Sequence, residues 1–264
     1  MIVSISSDIG TALAKDWLNE GYNVWGTYRR WSDNCNSLKK LGADLVHCDL
    51  NDQSSITAAF NSFPKEKNWS TLVLAAGDQN PIGLFKDIDF QDWAKSIQSN
   101  FVGQVDFLHK LMQIPLHENI LRSVIFFAGG GTNNATERYS GYTISKIASI
   151  KLCELLDFEN SCYKFTCVGP GWVESKIHDA TIAAGTKAGK NLEKTILMRQ
   201  DSLMNPVSNV VSCCNWIIRS PKEVVGGRNF SVVHDSWEHE NLEEALRGNP
   251  DLYKLRRFGN EIEF

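Results

Sequence analysis

The sequence alternates between short apolar or β-branched runs and longer segments with helical periodicity, and Gly, Pro, Asn or Asp stands at each change of period. Seven runs have the length and composition of buried strands, at residues 1–6, 22–27, 43–48, 71–75, 123–128, 164–168 and 229–233. Parallel strands need crossover connections, and crossover helices pack onto both faces of a sheet. The alternation therefore predicts an α/β fold in which a doubly wound parallel sheet of seven strands carries helices on both faces.

The clearest helical patterns cover residues 9–18, 93–112, 142–156 and 207–218, and Gly21 is expected to end the first of them. A chain of 264 residues suits one large α/β domain, and because no linker or repeat divides it we expect a single domain over residues 1–264. The longest stretch without a strand signal is 176–205. Because it follows the carboxyl end of a strand, it is a candidate substrate lid, with a surface helical excursion of no role as the alternative.

Charge and composition narrow the class of partner. The 27 Lys and Arg against 31 Asp and Glu give a net charge of -4, which argues against binding to nucleic acid or to an anionic membrane. No segment approaches the roughly 18 apolar residues of a membrane span, and Asp8 interrupts the first apolar stretch too early for a signal peptide. The seven cysteines lack the CxxC spacing of zinc sites. We therefore expect a cytoplasmic protein with reduced thiols, no metal and a small-molecule substrate.

The first predicted strand runs into a turn of small and hydroxyl side chains that precedes a helix. Backbone amides in such a turn, together with the positive end of the helix, form a site for phosphate groups. The candidate contacts to the phosphates of a dinucleotide are Ser4, Ser6, Ser7, Ile9 and Gly10. The alternative is an ordinary strand-to-helix turn that is capped by Ser6, Ser7 or Asp8.

Two arginines stand where many NAD sites carry an acidic residue. That acid lies about 20 residues beyond the turn and accepts hydrogen bonds from the adenosine ribose. Here Arg29 and Arg30 occupy this place, and two guanidiniums suit the 2′-phosphate of NADP, so we predict NADP in preference to NAD. The alternative is a pair of solvated arginines. Asp49 follows the third strand and is placed either to meet the adenine or to close a turn.

Tyr142 and Lys146 stand four residues apart at the start of a predicted helix and therefore share one face. An ammonium beside a phenol favours the phenolate, so this spacing predicts a tyrosine whose pKa is lowered towards neutrality for acid-base catalysis. An exposed pair without a role is the alternative. The pair follows the fifth strand by one loop, and Asn100 lies in the preceding helix.

Five markers occur in the order and spacing of the short-chain dehydrogenase/reductase family, which the chain resembles from residue 1 to about 235. They are SDIG at 7–10, LAAG at 74–77, Asn100, YTISK at 142–146 and PGWVES at 170–175. The resemblance implies a Rossmann fold, a nicotinamide cofactor and hydride transfer to or from a carbonyl or alcohol carbon. It implies that Tyr142 donates the proton, Lys146 holds the nicotinamide ribose and Asn100 anchors a water-linked proton relay. It adds Ala76, Gly77, Pro170, Val173 and Ser175 to the cofactor contacts.

The sequence departs from the family pattern at three positions. The first two glycines of the family's turn are Ser4 and Asp8 here, and a carboxylate beside a pyrophosphate weakens binding unless it caps the helix. Gly129 stands where family members usually carry a catalytic serine, and the loss of one such donor costs about 10²- to 10³-fold in rate. The candidate replacements are Thr132, Ser140 and the backbone amides of residues 129–131.

The leading hypothesis is an NADP-dependent ketoreductase or alcohol dehydrogenase whose polar substrate is sugar-like or phosphorylated. The cations of residues 176–205 would steer an anionic substrate, unless they form only a solvated helix face. Trp172 would stack on a sugar ring or fill a core corner. The end of the chain is similar to tails of family members from surface-polysaccharide pathways, which points to carbohydrate biosynthesis. The cations of the lid segment are Lys176, Lys187, Lys190, Lys194 and Arg199. The residues that suggest the similarity of the tail are Trp237, His239 and Leu255 to Arg257.

The second hypothesis is a cofactor-binding sensor or assembly protein with little catalysis, which the glycine at position 129 suggests. Oligomerisation is expected under either hypothesis. The segments 93–112 and 142–156 carry apolar residues on more than one face, and in family relatives these two helices pack into a four-helix interface. We therefore expect a homodimer or a homotetramer.

Overall fold

The computed structural model describes residues 1–65, 68–115, 120–201 and 203–257. These form a seven-stranded, all-parallel sheet in the order β3-β2-β1-β4-β5-β6-β7. The strands are β1 (Ile2–Val3), β2 (Trp25–Tyr28), β3 (Asp44–His47), β4 (Thr71–Leu74), β5 (Arg122–Phe127), β6 (Tyr163–Gly169) and β7 (Asn229–Ser231). The predicted doubly wound sheet is thus confirmed, and its strand order reverses between β1 and β4, where such sheets bind ligands.

Helices join the strands as crossovers. They are α1 (Asp8–Asn19), α2 (Asp33–Lys40), α3 (Gln53–Ser62), α4 (Phe90–Ile97), α5 (Gly103–Met112), α6 (Ser140–Glu159), α7 (Asp179–Ala184), α8 (Lys190–Gln200), α9 (Val207–Arg219), α10 (Lys222–Val225) and α11 (Leu242–Gly248). As expected, the chain leaves α1 through Gly21, whose φ of 85° is easy only for glycine. Within the described ranges, no helix is both long and apolar enough to cross a bilayer.

Alternate strand residues face opposite helical layers, which buries both sides of the sheet. In β4, Leu72 and Leu74 face a core that includes side chains of α3, α5 and α6, whereas Val73 faces the core under α1, α2 and α9. In β5, Val124 and Ile125 divide between the two layers in the same way. Because parallel strands are covered on both faces, the strands are apolar runs rather than alternating ones.

The first strand is much shorter than the predicted run over 1–6. It ends at Val3 because Ser4 adopts a φ of 63° and turns the chain out of the sheet. The amide of Ser4 donates to Thr27 Oγ1 at 3.1 Å, which fixes the turn to β2. The other predicted strands differ from the observed ones by three residues or fewer at either end.

The predicted helix over 93–112 is wrong in one respect, since a π-helical turn at Gln98–Val102 divides it into α4 and α5. The backbone carbonyl of Asn100 accepts a hydrogen bond from the side chain of Gln104 at 2.6 Å. A side-chain donor on this carbonyl fits the widened turn, and such turns are frequent at functional sites. Asn100 lies in the middle of this turn and is almost fully buried.

Candidate active site

The start of α6 brings Tyr142 and Lys146 to the carboxyl edge of the sheet, as their spacing predicts. Lys146 is buried, and its Nζ donates to the carbonyl of Ala76, just beyond β4, at 3.0 Å. Tyr142 lies against Gly129, which follows β5. Two neighbouring strand ends and one helix therefore enclose a phenol and an amine.

The Tyr142 ring occupies the space in which a side chain at position 129 would lie. A Cβ built on Gly129 would be 2.7 Å from both the hydroxyl and Cε1 of Tyr142, and 2.9 Å from Cγ of Lys146. Real Cβ atoms do not approach other heavy atoms this closely. Glycine at 129 is therefore required for the observed position of the tyrosine, at the place where the family resemblance leads one to expect a serine.

The expected lowering of the tyrosine pKa is not what the structure shows. Burial raises the pKa of Tyr142 to about 12. Burial also lowers the pKa of Lys146 to about 8, which leaves its ammonium only marginally charged under mildly alkaline conditions. The Lys146 Nζ lies 5.6 Å from the centroid of the Tyr142 ring and bonds to a carbonyl instead of the phenol. Desolvation therefore outweighs the attraction that the i, i+4 spacing suggested.

Asn100 holds the loop after β4 rather than facing the phenol. Its Oδ1 accepts from the amide of Asp78 and its Nδ2 donates to the carbonyl of the same residue, both at 2.8 Å. Two bonds to one peptide unit fix the loop that begins at Ala76. Asn100 therefore lies beside the candidate site, where its side chain holds the loop after β4 through two hydrogen bonds.

Gln104 is a residue that the sequence analysis missed. Its Oε1 accepts from the amide of Ala76 at 3.1 Å, while its Nε2 donates to the carbonyl of Asn100 at 2.6 Å. The same Ala76 residue supplies the carbonyl that binds Lys146. A signal was present in the sequence, since two amide side chains four residues apart share one helix face, but polar pairs of this kind are common on helix surfaces.

The turn between β1 and α1 has the small residues of a phosphate site, and the amides of Ser4, Ser7 and Gly10 donate to acceptors within the protein. Ser7 caps α1, with its Oγ accepting from the amide of Gly10 at 3.1 Å. A Cβ on Gly10 would lie 2.6 Å from the carbonyl of Ser4, so close packing excludes any side chain there. Ser6 and Ile9 are half-buried beside this cap.

Asp8 does not cap the helix. Its Oδ2 accepts from the backbone amide of Lys176 at 2.7 Å, which joins the first turn to the segment that follows β6. The alternative in which this carboxylate turns away to cap α1 is therefore wrong, because Ser7 already fills that role.

Arg29 and Arg30 are exposed and follow β2 directly, as expected. Asn34 Nδ2 donates to the carbonyl of Ser6 at 3.1 Å, which places the loop that carries both arginines beside the first turn. Asp49, in contrast, closes its own turn: its Oδ1 accepts from the amide of Asn51 at 2.9 Å. The loop after β2 is therefore tied to the first turn through Asn34, whereas Asp49 has a local role.

The segment after β6 forms the wall of the candidate site that faces the turn between β1 and α1, to which the Asp8–Lys176 bond joins it. The carbonyl of Pro170 accepts from Asn205 Nδ2 at 2.9 Å, and the buried Val173 pairs with Asn205 in an isolated parallel bridge. These contacts anchor both ends of the intervening excursion. Ser175 is half-buried just before a 3₁₀ turn at Lys176–His178.

The excursion over 176–205 is helical and packs over the site. Ile177 covers Gly77, since a Cβ built on that glycine would lie 3.3 Å from Ile177 Cδ1 and 3.8 Å from Lys146 Nζ. Thr181 donates to Gln79 Oε1 at 2.9 Å, which ties α7 to the loop after β4. The stretch identified as a candidate lid thus contacts residues next to the buried lysine.

Several aromatic and charged groups in and next to this excursion contact one another. Trp172 stacks on His178 with ring centroids 4.9 Å apart, and Lys194 Nζ lies 5.1 Å from the Trp172 ring. Arg199 forms an ion pair with Asp179 at 2.5 Å. An open cleft of about 500 Å³ remains between the first turn and the excursion. Its lining includes Asp8, Glu174, Ser175, Lys176, Asp179 and Arg199.

The two hydroxyls considered as replacements for a serine at 129 differ in placement. Thr132 Oγ1 donates to the carbonyl of Gly129 at 3.2 Å and is therefore next to the site. Ser140 Oγ instead accepts from Trp93 Nε1 on α4 at 3.1 Å. Of the two hydroxyls, that of Thr132 bonds directly to residue 129, whereas that of Ser140 bonds to α4.

The tail residues that suggested a polysaccharide pathway hold the fold together. Trp237 Nε1 donates to the carbonyl of Val232 at 3.2 Å, and His239 Nδ1 accepts from the amide of Asn241 at 3.2 Å. Arg256 binds both carboxylate oxygens of Glu154. Trp237, His239 and Arg256 thus have partners within the chain.

Comparisons with known proteins identify the family. The sequence model of a family described as enoyl-(acyl carrier protein) reductase matches residues 3–229. The chain belongs to the short-chain dehydrogenase/reductase family of oxidoreductases. Serine 3-dehydrogenase of Rhizobium radiobacter is 21% identical over 240 residues, which are 85% of this chain and 89% of that protein.

Two solved structures show the same fold. A short-chain dehydrogenase/reductase from Saccharomyces cerevisiae superimposes with a TM-score of 0.79 at 19% identity, over 89% of this chain and 96% of that one. The closed form of a serine dehydrogenase complexed with NADP+ has a TM-score of 0.73 at 19% identity, over 88% of this chain and 94% of that one. The fold is therefore the Rossmann-type fold that the sequence motifs predict.

Proposed function

We propose that this oxidoreductase is an NADP-dependent ketoreductase or alcohol dehydrogenase that acts on a small polar carbonyl or alcohol compound. The observation that carries the proposal is the enclosure of Tyr142 and Lys146 at the carboxyl edge, where the strand order reverses and a cleft opens beside α1. A phenol and an amine at this point suit proton transfer to a carbonyl oxygen.

The residues at this edge fit a nicotinamide dinucleotide. The start of α1 has a turn of small side chains at which phosphates are stabilised by helix amides. Ala76 and Gly77 leave backbone rather than bulky side chains next to Lys146. Pro170, Val173 and Ser175 form the facing wall and would meet the nicotinamide end. When bound, the cofactor supplies or accepts the hydride.

Proton transfer falls to Tyr142. Because burial raises the pKa of its hydroxyl to about 12, the group is protonated at neutral pH and serves as the acid in carbonyl reduction. Loss of that proton leaves a phenolate near Lys146, whose ammonium then stabilises the new charge. Asn100 and Gln104 act through Ala76 and Asp78 by fixing the loop to which Lys146 is bonded.

The test is the Tyr142→Phe variant, assayed by the consumption of NADPH with sugar carbonyl compounds and phosphorylated ketoses, and by the reduction of NADP+ with serine. We expect no turnover and nearly unchanged NADPH binding, because only the hydroxyl is removed. Tyr22→Phe is the matched control, since Tyr22 is exposed and precedes β2 at the opposite edge of the sheet. Turnover in Tyr142→Phe at the wild-type rate would overturn the proposed role.

The preference for NADP over NAD rests on Arg29 and Arg30. A hydrogen bond between charged groups contributes about 1.5–3 kcal/mol, so replacing both arginines with alanine should weaken NADPH binding at least tenfold. NADH lacks the 2′-phosphate, and its affinity should stay within about twofold. The measurement is quenching of cofactor fluorescence on titration with protein, and equal wild-type affinities for NADH and NADPH would refute the preference.

The remaining parts of the proposal concern the oligomeric state, the domain and lid, the location and the pathway. We infer a homodimer or homotetramer that buries α4, α5 and α6, because Ile144 is 50% exposed and Phe158 is 93% exposed on α6. Light scattering should give a multiple of 29.6 kDa, and Ile144→Asp should dissociate it. A single domain over 1–264, a substrate lid over 176–205, a cytoplasmic location and a place in carbohydrate biosynthesis belong to the same proposal.

A second candidate function is that of a cofactor-binding sensor or assembly protein with little catalysis. It is favoured by the packing of Tyr142 against Gly129, which leaves no room for a serine side chain, and by the raised pKa of the phenol. Under this alternative the protein binds NADPH but turns over no compound of the panel. Turnover that depends on Tyr142 would exclude it.

A further inference from the structure

We propose that Asp8 is an internal competitor of the cofactor phosphates, which must give up the Lys176 amide before a dinucleotide binds. This inference rests on the proposed function, because it concerns the same cleft. It assigns to Asp8 the control of cofactor affinity and of the position of residues 176–178.

Asp8 is an anion held where the fold prepares a site for anions. It is the first residue of α1, at the positive end of the helix, and the capping bond is made by Ser7 and Gly10 instead. The Asp8 carboxylate is therefore free of a capping role and reaches across the cleft. Its Oδ2 lies 2.7 Å from the backbone nitrogen of Lys176.

The bond to Lys176 also fixes the residue that packs at Gly77, beside the buried lysine. Lys176 opens the 3₁₀ turn, and a Cβ built on Gly77 would lie 3.3 Å from Cδ1 of the next residue, Ile177, and 3.8 Å from Lys146 Nζ. A group that binds at Gly77 and Lys146 must displace Ile177. Displacing Ile177 moves its neighbour, and the Asp8 bond resists that movement.

A dinucleotide entering this cleft meets both effects, the charge of Asp8 at its phosphates and the Ile177 side chain at Gly77. It would use the same positive helix end and the same kind of amide donor that the carboxylate uses now, and two anions cannot share them without repulsion. Asp8→Asn removes the charge while it keeps an acceptor oxygen for the Lys176 amide. The variant therefore tests the effect of the Asp8 charge while the bond to Lys176 is kept. Ile177→Ala separately removes the side chain that packs at Gly77.

The experiment is titration of NADPH and of inorganic pyrophosphate into the full chain and its variants, followed by calorimetry. We expect Asp8→Asn to bind NADPH about tenfold more tightly than the wild type, because the variant removes the repulsion between the carboxylate and the cofactor phosphates, and a factor of ten corresponds to about 1.4 kcal/mol. Pyrophosphate should show the same direction of change. Ile177→Ala should tighten NADPH binding but leave pyrophosphate unchanged.

Glu20→Gln is the matched control. It makes the same change of net charge just beyond the other end of α1, where Glu20 is exposed and 4.0 Å from Arg219, and its NADPH affinity should equal that of the wild type. An Asp8→Asn affinity within about twofold of the wild type, or an equal gain in Glu20→Gln, would overturn the competition. If neither the wild type nor Asp8→Asn binds NADPH, the proposed function itself fails, which is a distinct result.

Discussion

Replacing Gly129 with alanine tests the packing at the centre of the candidate site. The added Cβ would lie 2.7 Å from the hydroxyl and from Cε1 of Tyr142, and 2.9 Å from Cγ of Lys146. Contact at these distances forces the ring to move, because Cγ of Lys146 belongs to the buried stem of that side chain. Overpacking of this kind costs about 1–3 kcal/mol, so we expect the free energy of unfolding to fall by that amount.

The assay is urea unfolding followed by tryptophan fluorescence, in a double-mutant cycle with Tyr142→Ala. Removal of the ring should relieve most of the clash, so that Gly129→Ala costs at least about 1 kcal/mol less in the Tyr142→Ala background. Gly130→Ala is the matched control, because nothing lies within 4 Å of a Cβ built there. Its unfolding free energy should stay within about 0.5 kcal/mol of the wild type. Equal costs for Gly129→Ala in the two backgrounds would refute the argument that the tyrosine occupies this space.

Three further outcomes follow from single contacts. Ser4→Gly should raise the unfolding free energy by about 1 kcal/mol in urea titrations, because Ser4 holds a φ of 63°; a loss of stability would contradict this. Gln104→Leu should cost about 2 kcal/mol or more by the same measurement, since it leaves the Ala76 amide and the Asn100 carbonyl without the glutamine; an unchanged midpoint would count against its positioning role. Burial lowers the pKa of Lys146 from 10.5 to about 8, so the folded state binds fewer protons than the unfolded state in that window and stability rises with pH there. Relative to Lys146→Met, the wild type should therefore gain about 2.5 kcal/mol between pH 7 and pH 10, and a constant difference would exclude the shift.

The periodicity of the sequence was sufficient to predict the sheet because buried parallel strands are continuous apolar runs between helical segments. It was insufficient at the first turn, where Ser4 leaves the sheet in a conformation that its residue type does not announce. The π turn around Asn100 was likewise hidden, since it depends on where the Gln104 side chain finds its partners. Local spacing predicts which residues share a helix face, but not which tertiary groups compete for their polar atoms.

In the candidate site, too, the features set by local spacing were predicted and those set by tertiary contacts were not. The motifs predicted correctly that Tyr142 and Lys146 would meet the strand ends, because the i, i+4 geometry is local. The direction of the tyrosine pKa shift was wrong, because burial depends on the whole fold and here exceeds the effect of the amine. The bond from Asp8 to Lys176 joins residues 168 positions apart, and no pattern in either segment indicates it.

The most direct test of the central claim uses NADPH that carries deuterium at both C4 positions, and follows the label into the product alcohol by mass spectrometry of the carbonyl compounds that the wild type reduces. The account predicts one deuterium per product molecule with the wild type and no labelled product with Tyr142→Phe. Product without the label, or labelled product formed equally well by Tyr142→Phe, would contradict a hydride transfer that depends on this phenol.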